Sequence, residues 1–178
     1  MTKKRRLSFP QAHRIALVSD SHGLIQEDVL QAIGTADVIV HAGDVGSSSV
    51  LRLLREVAPT VAVRGNNDTA DRWFPSECCD LEGLEEVIEI SLKGGSLVVV
   101  HGHQWPRVAT RHRKIRERFA RAQCVVYGHS HRQVIDRDTM PWIVNPGACG
   151  RSRAYGGASW LGLTTGSDAW RIAVEDFA

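Results

Sequence analysis

The stretch CVVYGHSH, residues 124–131, begins as an apolar run and ends in two histidines either side of a serine. A short run rich in Val, Ile and Leu, closed by Gly or polar residues, is the pattern of a strand buried on both faces. The same pattern recurs in RIALVSD (14–20), DVIVHAGD (37–44), TVAVRGNND (60–68) and SLVVVHGH (96–103). Each run ends in a carboxylate, an amide or an imidazole. Helical stretches separate the first three. IQEDVLQAIGTA (25–36) carries Ile25, Val29 and Ile33 at a spacing of four, and SSSVLRLLREVA (47–58) opens on serines suited to cap a helix. Strands alternating with helices predict βαβ units and a partly parallel sheet. PWIVN (141–145), SWLGLTT (159–165) and AWRIAVED (169–176) are strand-like, with GSD (166–168) as a hairpin turn between the last two. The predicted fold class is α/β: two packed β-sheets flanked by helices, the second sheet the more antiparallel.

With 178 residues the chain fits one domain able to bury a core without staples. That domain is expected over 14–178. MTKKRRLSFPQAHR (1–14) is basic and no long apolar segment follows it, so 1–13 reads as a flexible basic arm rather than a secretory signal. No apolar segment approaches the roughly 20 residues that span a bilayer, so no membrane partner is expected. The net charge of +2 is too small to indicate a polyanionic partner by itself. Cys78, Cys79, Cys124 and Cys149 form no C-x-x-C pair, which fits reduced thiols in a cytoplasmic protein rather than a zinc knuckle.

In open α/β sheets ligands bind at the carboxyl ends of the strands. Read along that edge, the run ends supply Asp20, His22, Asp44, Asn66, His101, His129 and His131. Mixed nitrogen and oxygen donors suit Mn²⁺, Fe, Zn²⁺, Ni²⁺ or Co²⁺ better than Ca²⁺. Seven donors exceed one tetrahedral site and suit two metals sharing a carboxylate. Two metals about 3.5–4 Å apart can hold the attacking and leaving oxygens of an in-line displacement and turn a bound water into hydroxide near neutral pH. That chemistry suits a phosphate ester. Any one of these residues alone more often has a structural role; their joint placement carries the reading. Gly43, Gly65, Gly102 and Gly128 flank the donors, where the backbone must turn at close quarters.

At these residues the sequence resembles the calcineurin-like metallophosphoesterases. DSH (20–22), GD (43–44), GNND (65–68), HGH (101–103) and GHSH (128–131) fall in the family's order, and NPGA (145–148) resembles the Asn-Pro-Gly signature that follows them. The short chain is similar to the small bacterial and archaeal phosphodiesterases of the superfamily, and in fold to the retromer subunit Vps29. The resemblance implies a four-layer sandwich of two mixed sheets, with the last strands completing the second sheet. It implies two divalent transition-metal ions, manganese foremost, with nickel, cobalt, iron, zinc or magnesium as other choices. By matching position, Asp20, His22 and His131 would hold the first metal, Asn66, His101 and His129 the second, and Asp44 would bridge. His103 would line the substrate pocket. Asn67 and Asp68 are the catalytic candidates, Asp68 by orienting the Asn66 loop. Many members of the family carry histidine where Asn67 stands. Asparagine cannot supply a proton at pH 7, so general-acid help of about 10²–10⁴-fold is expected to be missing.

RVATRHRKIRERFARAQ (107–123) is the strongest charge signal. Val108, Ile115, Phe119 and Ala122 are expected on a packed face. Arg107, Arg111, Arg113, Lys114, Arg116, Arg118 and Arg121 form either a docking face for nucleic acid or, more commonly, a solvated face or homo-oligomer contact. Trp73, Phe74 and Trp105 either stack a base or cover a core edge. Trp142, Trp160 and Trp170 read as core or interface, and Cys149 as packing. The function expected is a metal-dependent phosphodiesterase acting on a small or nucleotide-like diester. The alternative is a catalytically silent scaffold on the same fold.

Overall fold

The structure, a computed structural model, describes residues 4–150 and 154–177. Three parallel strands, β2 (Arg14–Val18), β3 (Val38–His41) and β4 (Thr60–Ala62), are linked by helices α1 (Glu27–Ala32) and α2 (Ser48–Val57). A second set comprises β1 (Lys4–Ser8), β5 (Val87–Leu92), β6 (Gly95–Val100), β7 (Cys124–Val126), β8 (Gln133–Asp136) and β9 (Trp142–Pro146), with α4 (Val108–Arg118) between β6 and β7. α3 is Cys78–Glu82, and β10 (Leu161–Thr164) and β11 (Arg171–Val174) close the chain. The strand orders are β1-β5-β6-β7-β9-β8 and β11-β10-β2-β3-β4. Both sheets are mixed.

Strand alternation sorts the apolar residues into three layers of core. Ile15, Leu17, Val38 and Val40 face Ile88, Ile90, Leu97, Val99 and Val126 between the sheets. Ala16, Val18 and Ile39 face outward onto Val29, Ile33, Leu51 and Leu54 of the first helix layer. Val98, Val100, Val125 and Ile143 face outward onto Ile115 and Phe119 around α4. This double burial explains why β2, β3, β6 and β7 read as continuous apolar runs.

Several expectations are corrected. The basic arm is not free along its length. Lys4–Ser8 pairs in parallel with Val87–Ser91, Leu7 and Phe9 pack on the inter-sheet core, and Arg6 Nε lies 3.3 Å from Glu89 Oε2. Residues 1–3 lie outside the described residues. The arginines occupy an edge strand, where charge discourages pairing with another chain. The last strands do not complete the second sheet. β10 pairs with β2 and β11 with β10, both antiparallel, because Leu161 and Leu163 share the inter-sheet face of Ile15 and Leu17. The serines before α2 do not cap it through their side chains; Glu77 accepts the Ser48 N–H at 2.9 Å instead. Val108 is 78% exposed, while Ile115, Phe119 and Ala122 pack as expected. No helix among the described residues is long and apolar enough to cross a membrane.

Candidate metal centre

The parallel strands β2, β3, β4, β6 and β7 run the same way within their sheets, so their carboxyl ends deliver the donors to one edge. The backbone there is unusual. Asp20 (φ +54°), His22 (+47°), Asp44 (+55°), His129 (+68°) and His131 (+55°) are left-handed, and the only other non-glycine so placed among the described residues is Glu175. That conformation is costly for a side chain with a Cβ and persists only where the surroundings over-determine it, as at functional sites. Interlocked loops supply the constraint. Asp20 N–H donates to Gly43 O at 3.0 Å, His22 N–H to Asp44 O at 3.0 Å, and Gly128 N–H to His101 O at 3.0 Å. A Cβ at Gly65 would collide with the Asp44 backbone nitrogen and carboxylate, and one at Gly128 would stand 2.7 Å from Asp20 Oδ2.

Donor atoms of Asp20, His22, Asp44 and His131 all lie within 4.8 Å of one another. His131 Nε2 is 3.3 Å from Asp20 Oδ1 and 3.1 Å from His22 Nε2. Asp44 Oδ2 is 3.8 Å from His22 Nε2 on one side and 3.3 Å from His101 Nε2 on the other. His101 Nε2 is in turn 3.2 Å from Asn66 Oδ1, and the His129 ring lies 5.3 Å from that of His101. The structure therefore brings all seven donors together, with Asp44 between two subsets. The donor set fits cations. His101 Nδ1 donates to Ala42 O at 2.8 Å, which fixes the ring with Nε2 facing the oxygens of Asp44 and Asn66. A cation held there would take the place of the proton that His101 Nε2 otherwise shares with Asp44.

The charges are tuned in opposite senses. Burial pushes the Asp20 carboxyl up to about 7, against the pull of His101 and the Ser19 hydroxyl. Burial also opposes ionisation of Asp44, but the hydrogen bond and charge of His101 and the two Asn67 donors outweigh it and hold that carboxyl well below the usual range. Burial, then the positive charges of His101 and Arg111, push His129 down to about 4, which favours the neutral imidazole a metal ligand needs.

Two buried polar residues tie the loops. Asp68 accepts N–H bonds from Val45 (3.1 Å), Gly46 (2.9 Å) and Gly65 (2.8 Å), and from Trp73 Nε1 (3.2 Å). Its oxygens are therefore spent on loop backbone, and its role is positioning rather than contact with a reacting atom. Asn145 donates Nδ2–H to Gly128 O at 2.7 Å and Ser130 Oγ at 3.1 Å, and accepts the Gly147 N–H at 2.9 Å. Asn67 donates its backbone N–H to Asp44 Oδ1 at 2.8 Å and Nδ2–H to Asp44 Oδ2 at 2.6 Å, and its Oδ1 accepts from Arg72 Nη1. His103 stands beside the second subset, its ring 5.6 Å from that of His101 and 6.4 Å from that of His129.

Sequence reasoning missed His41, Ser19 and Ser21. His41 is fully buried beneath the site and bonded to Ser21 Oγ and Gly43 N–H; burial pushes its imidazole down to about 4. A histidine inside the apolar run VIVHA was the signal. Ser19 Oγ donates to Asp20 Oδ2 (2.6 Å) and stands 2.7 Å from Gly147 O. Trp73 is buried as a loop anchor, Trp105 packs with Phe119, and Phe74 is exposed. The basic helix is thinner in free charge than its sequence suggests. Arg111 is buried, with Nε donating to Trp105 O (2.7 Å), Arg113 pairs with Glu117 (2.6 Å), and Arg116 pairs with Asp136 (2.6 Å).

Residues 14–168 match the calcineurin-like phosphoesterase superfamily domain, and the chain belongs to that superfamily. Among relatives, a probable metallophosphoesterase of Methanothermobacter thermautotrophicus is 29% identical over 140 residues, covering 75% of this chain and 76% of that protein. A phosphodiesterase of Methanocaldococcus jannaschii is 23% identical over 149 residues, covering 76% and 84%. Wild-type Vps29 from Entamoeba histolytica, solved in complex with Zn²⁺, superimposes with a TM-score of 0.70 at 17% identity, covering 92% of this chain and 99% of that one. A mutant form of the same protein gives 0.72 at 19%, covering 89% of each. At such identity the structural likeness speaks to the fold.

Proposed function

We propose that this metallophosphoesterase is a phosphodiesterase that works with two divalent transition-metal ions, manganese foremost, on a small or nucleotide-like diester. The observation that carries the reading is Asp44, whose Oδ2 faces His22 on one side and His101 on the other. Asp20, His22 and His131 would hold one ion, Asn66, His101 and His129 the other, with Asp44 shared. Two ions so held would activate a water near neutral pH and would neutralise charge developing at phosphorus.

The chain's own groups favour a good leaving group, on a diester or a monoester alike. The residue after Asn66 is Asn67, whose amide is committed to Asp44 and Arg72 and carries no acidic proton. A leaving group must therefore depart with little protonation at that position, as an activated aryl oxide or a phosphorylated group does. What supports the diester is the phosphodiesterase name of the Methanocaldococcus relative. A nucleic-acid substrate is a sub-case resting on Arg107, Lys114, Arg118 and Arg121, and predicts steep salt dependence. The thiol-only cysteines, Cys78, Cys79, Cys124 and Cys149, support a reducing compartment such as the cytoplasm.

The test is hydrolysis of bis-p-nitrophenyl phosphate by metal-stripped protein re-supplied with Mn²⁺, Ni²⁺, Co²⁺, Zn²⁺ or Mg²⁺, with p-nitrophenyl phosphate for comparison. Metal-restored cleavage that prefers the diester is expected. Metal-loaded, folded protein that cleaves neither would instead favour the scaffold reading.

A further inference from the structure

We propose that Arg72 is a substrate-contacting residue, which grips the outward phosphoryl oxygens of the diester and stabilises their charge beside an Asn67 that supplies no acid. The inference rests on the phosphodiesterase reading. It begins with a chain of contacts from the centre of the site outward. Asp44 Oδ2 accepts from Asn67 Nδ2 at 2.6 Å, and Asn67 Oδ1 accepts from Arg72 Nη1. The guanidinium thus stands two hydrogen bonds from the carboxylate between the two donor subsets. The Asn67 amide is oriented by this arrangement. Its NH₂ end faces the carboxylate and its carbonyl end faces the cation, and neither end can be reversed without setting like against like.

The loop presents Arg72 outward. Trp73, its neighbour, is 4% exposed and donates Nε1–H to Asp68 Oδ1 at 3.2 Å. The backbone is fastened by Arg72 N–H to Thr69 O at 3.0 Å and Trp73 N–H to Thr69 O at 3.2 Å. Asp68 ties this turn to Val45, Gly46 and Gly65, the loops that carry Asp44 and Asn66. Arg72 is exposed while its base is anchored, so it can meet a ligand with little ordering cost. A guanidinium has five N–H donors in a planar fork matched to two oxygens of a phosphate. One, on Nη1, is directed at Asn67 Oδ1.

The chemistry follows from what arginine can and cannot do. It stays protonated at any working pH, so it stabilises phosphoryl charge but does not protonate the leaving oxygen. The reaction should therefore remain sensitive to leaving-group pKa even with Arg72 in place. Lysine keeps the charge but loses the fork, so Arg72→Lys should recover only part of the effect.

Metal-reconstituted wild type, Arg72→Ala, Arg72→Lys and Asn67→Ala would be compared in two measurements. The first is kcat/KM across aryl phosphodiesters of graded leaving-group pKa. The second is inorganic phosphate binding to the metal-loaded protein by calorimetry. Arg72→Ala is expected to lower kcat/KM and phosphate affinity each by about 10- to 100-fold, the worth of a charged hydrogen bond, with metal content and thermal midpoint unchanged. Arg72→Lys should fall between, and Asn67→Ala should lose part of the phosphate affinity by releasing the guanidinium. Phosphate affinity and kcat/KM of Arg72→Ala equal to wild type would overturn the proposal. If the wild type hydrolyses no diester but Arg72→Ala still loses phosphate, the hydrolytic reading fails and the anion contact stands. If the metal-loaded wild type binds no phosphate at all, the contact is refuted as well.

Discussion

The two halves of the donor set are built from different chemistry and are held in different ways. The β2-β3-β4 side contributes Asp20, His22, Asp44 and Asn66, mostly oxygen donors. A buried carboxylate, Asp68, organises its loops by accepting backbone N–H bonds. The β6-β7 side contributes His101, His129 and His131, all nitrogen donors. A carbonyl fixes His101, and a buried amide, Asn145, organises the last loop by donating to Gly128 O and Ser130 Oγ. Neither half has enough donors for two metals. The site exists because the sheets pack face to face with their carboxyl ends level, and bonds such as Cys149 N–H to Ser19 O lock that edge. Even the two carboxylates differ. Asp20 is raised to about 7 by burial, whereas Asp44, at the join between halves, is held low by donors from both.

The sharpest way to break the comparison is at the join. Asp44→Asn should reduce metal-dependent diester hydrolysis by about 10³-fold or more, since metal charge stabilisation is worth several kcal/mol. Steady-state rates and metal content on the same sample check this. Disturbing one half at a time comes next. Asp68→Asn should weaken metal binding about 10- to 100-fold, the range for residues that orient ligands, and titration with Mn²⁺ would show it. Asn145→Ala should have a smaller effect, about 10-fold, because interlocked backbone bonds also hold the His129–His131 loop.

Packing distinguishes the halves less strongly. Ile115→Ala should cost about 2–4 kcal/mol of stability, whereas Val108→Ala, exposed one helix face away, should leave the urea midpoint unchanged. The smallest effect concerns pH. Burial alone would raise the Asp136 carboxyl, but the hydrogen bonds from Arg116 and His112 outweigh it and hold it below its ordinary value. As pH falls, the unfolded chain takes up that proton first. The contribution to stability is therefore full above about pH 4 and lost as pH falls through the lower folded value. Asp136→Asn should flatten the acid limb of a stability profile by lowering stability at pH 7, where the contribution is full, and should change little at pH values below the folded one.

Local patterning made the five apolar runs and their polar ends legible, because double burial leaves no alternation and the abrupt change to Asp, Asn or His marks the strand terminus. The ordered motifs made the seven donors legible for the same reason. Less legible were the strands that alternate. EVIEISL (86–92) carries β5 and KRRLS (4–8) carries β1, yet their exposed charges masked the period of two. Residues that act through others were also hidden. Asp68 was noted within GNND, but nothing local says that it serves Val45 and Gly46, more than twenty residues away.

The sequence by itself determined which residues could be donors and that they would lie at strand ends, since those are matters of residue type and burial period. Tertiary structure alone decided that β10 and β11 would flank β2, that Arg111 would be buried while Val108 is not, and that Arg72 would reach the site through Asn67. Those outcomes depend on which surfaces meet. Contacts between residues distant in the chain are set by packing complementarity, which no short window of sequence contains.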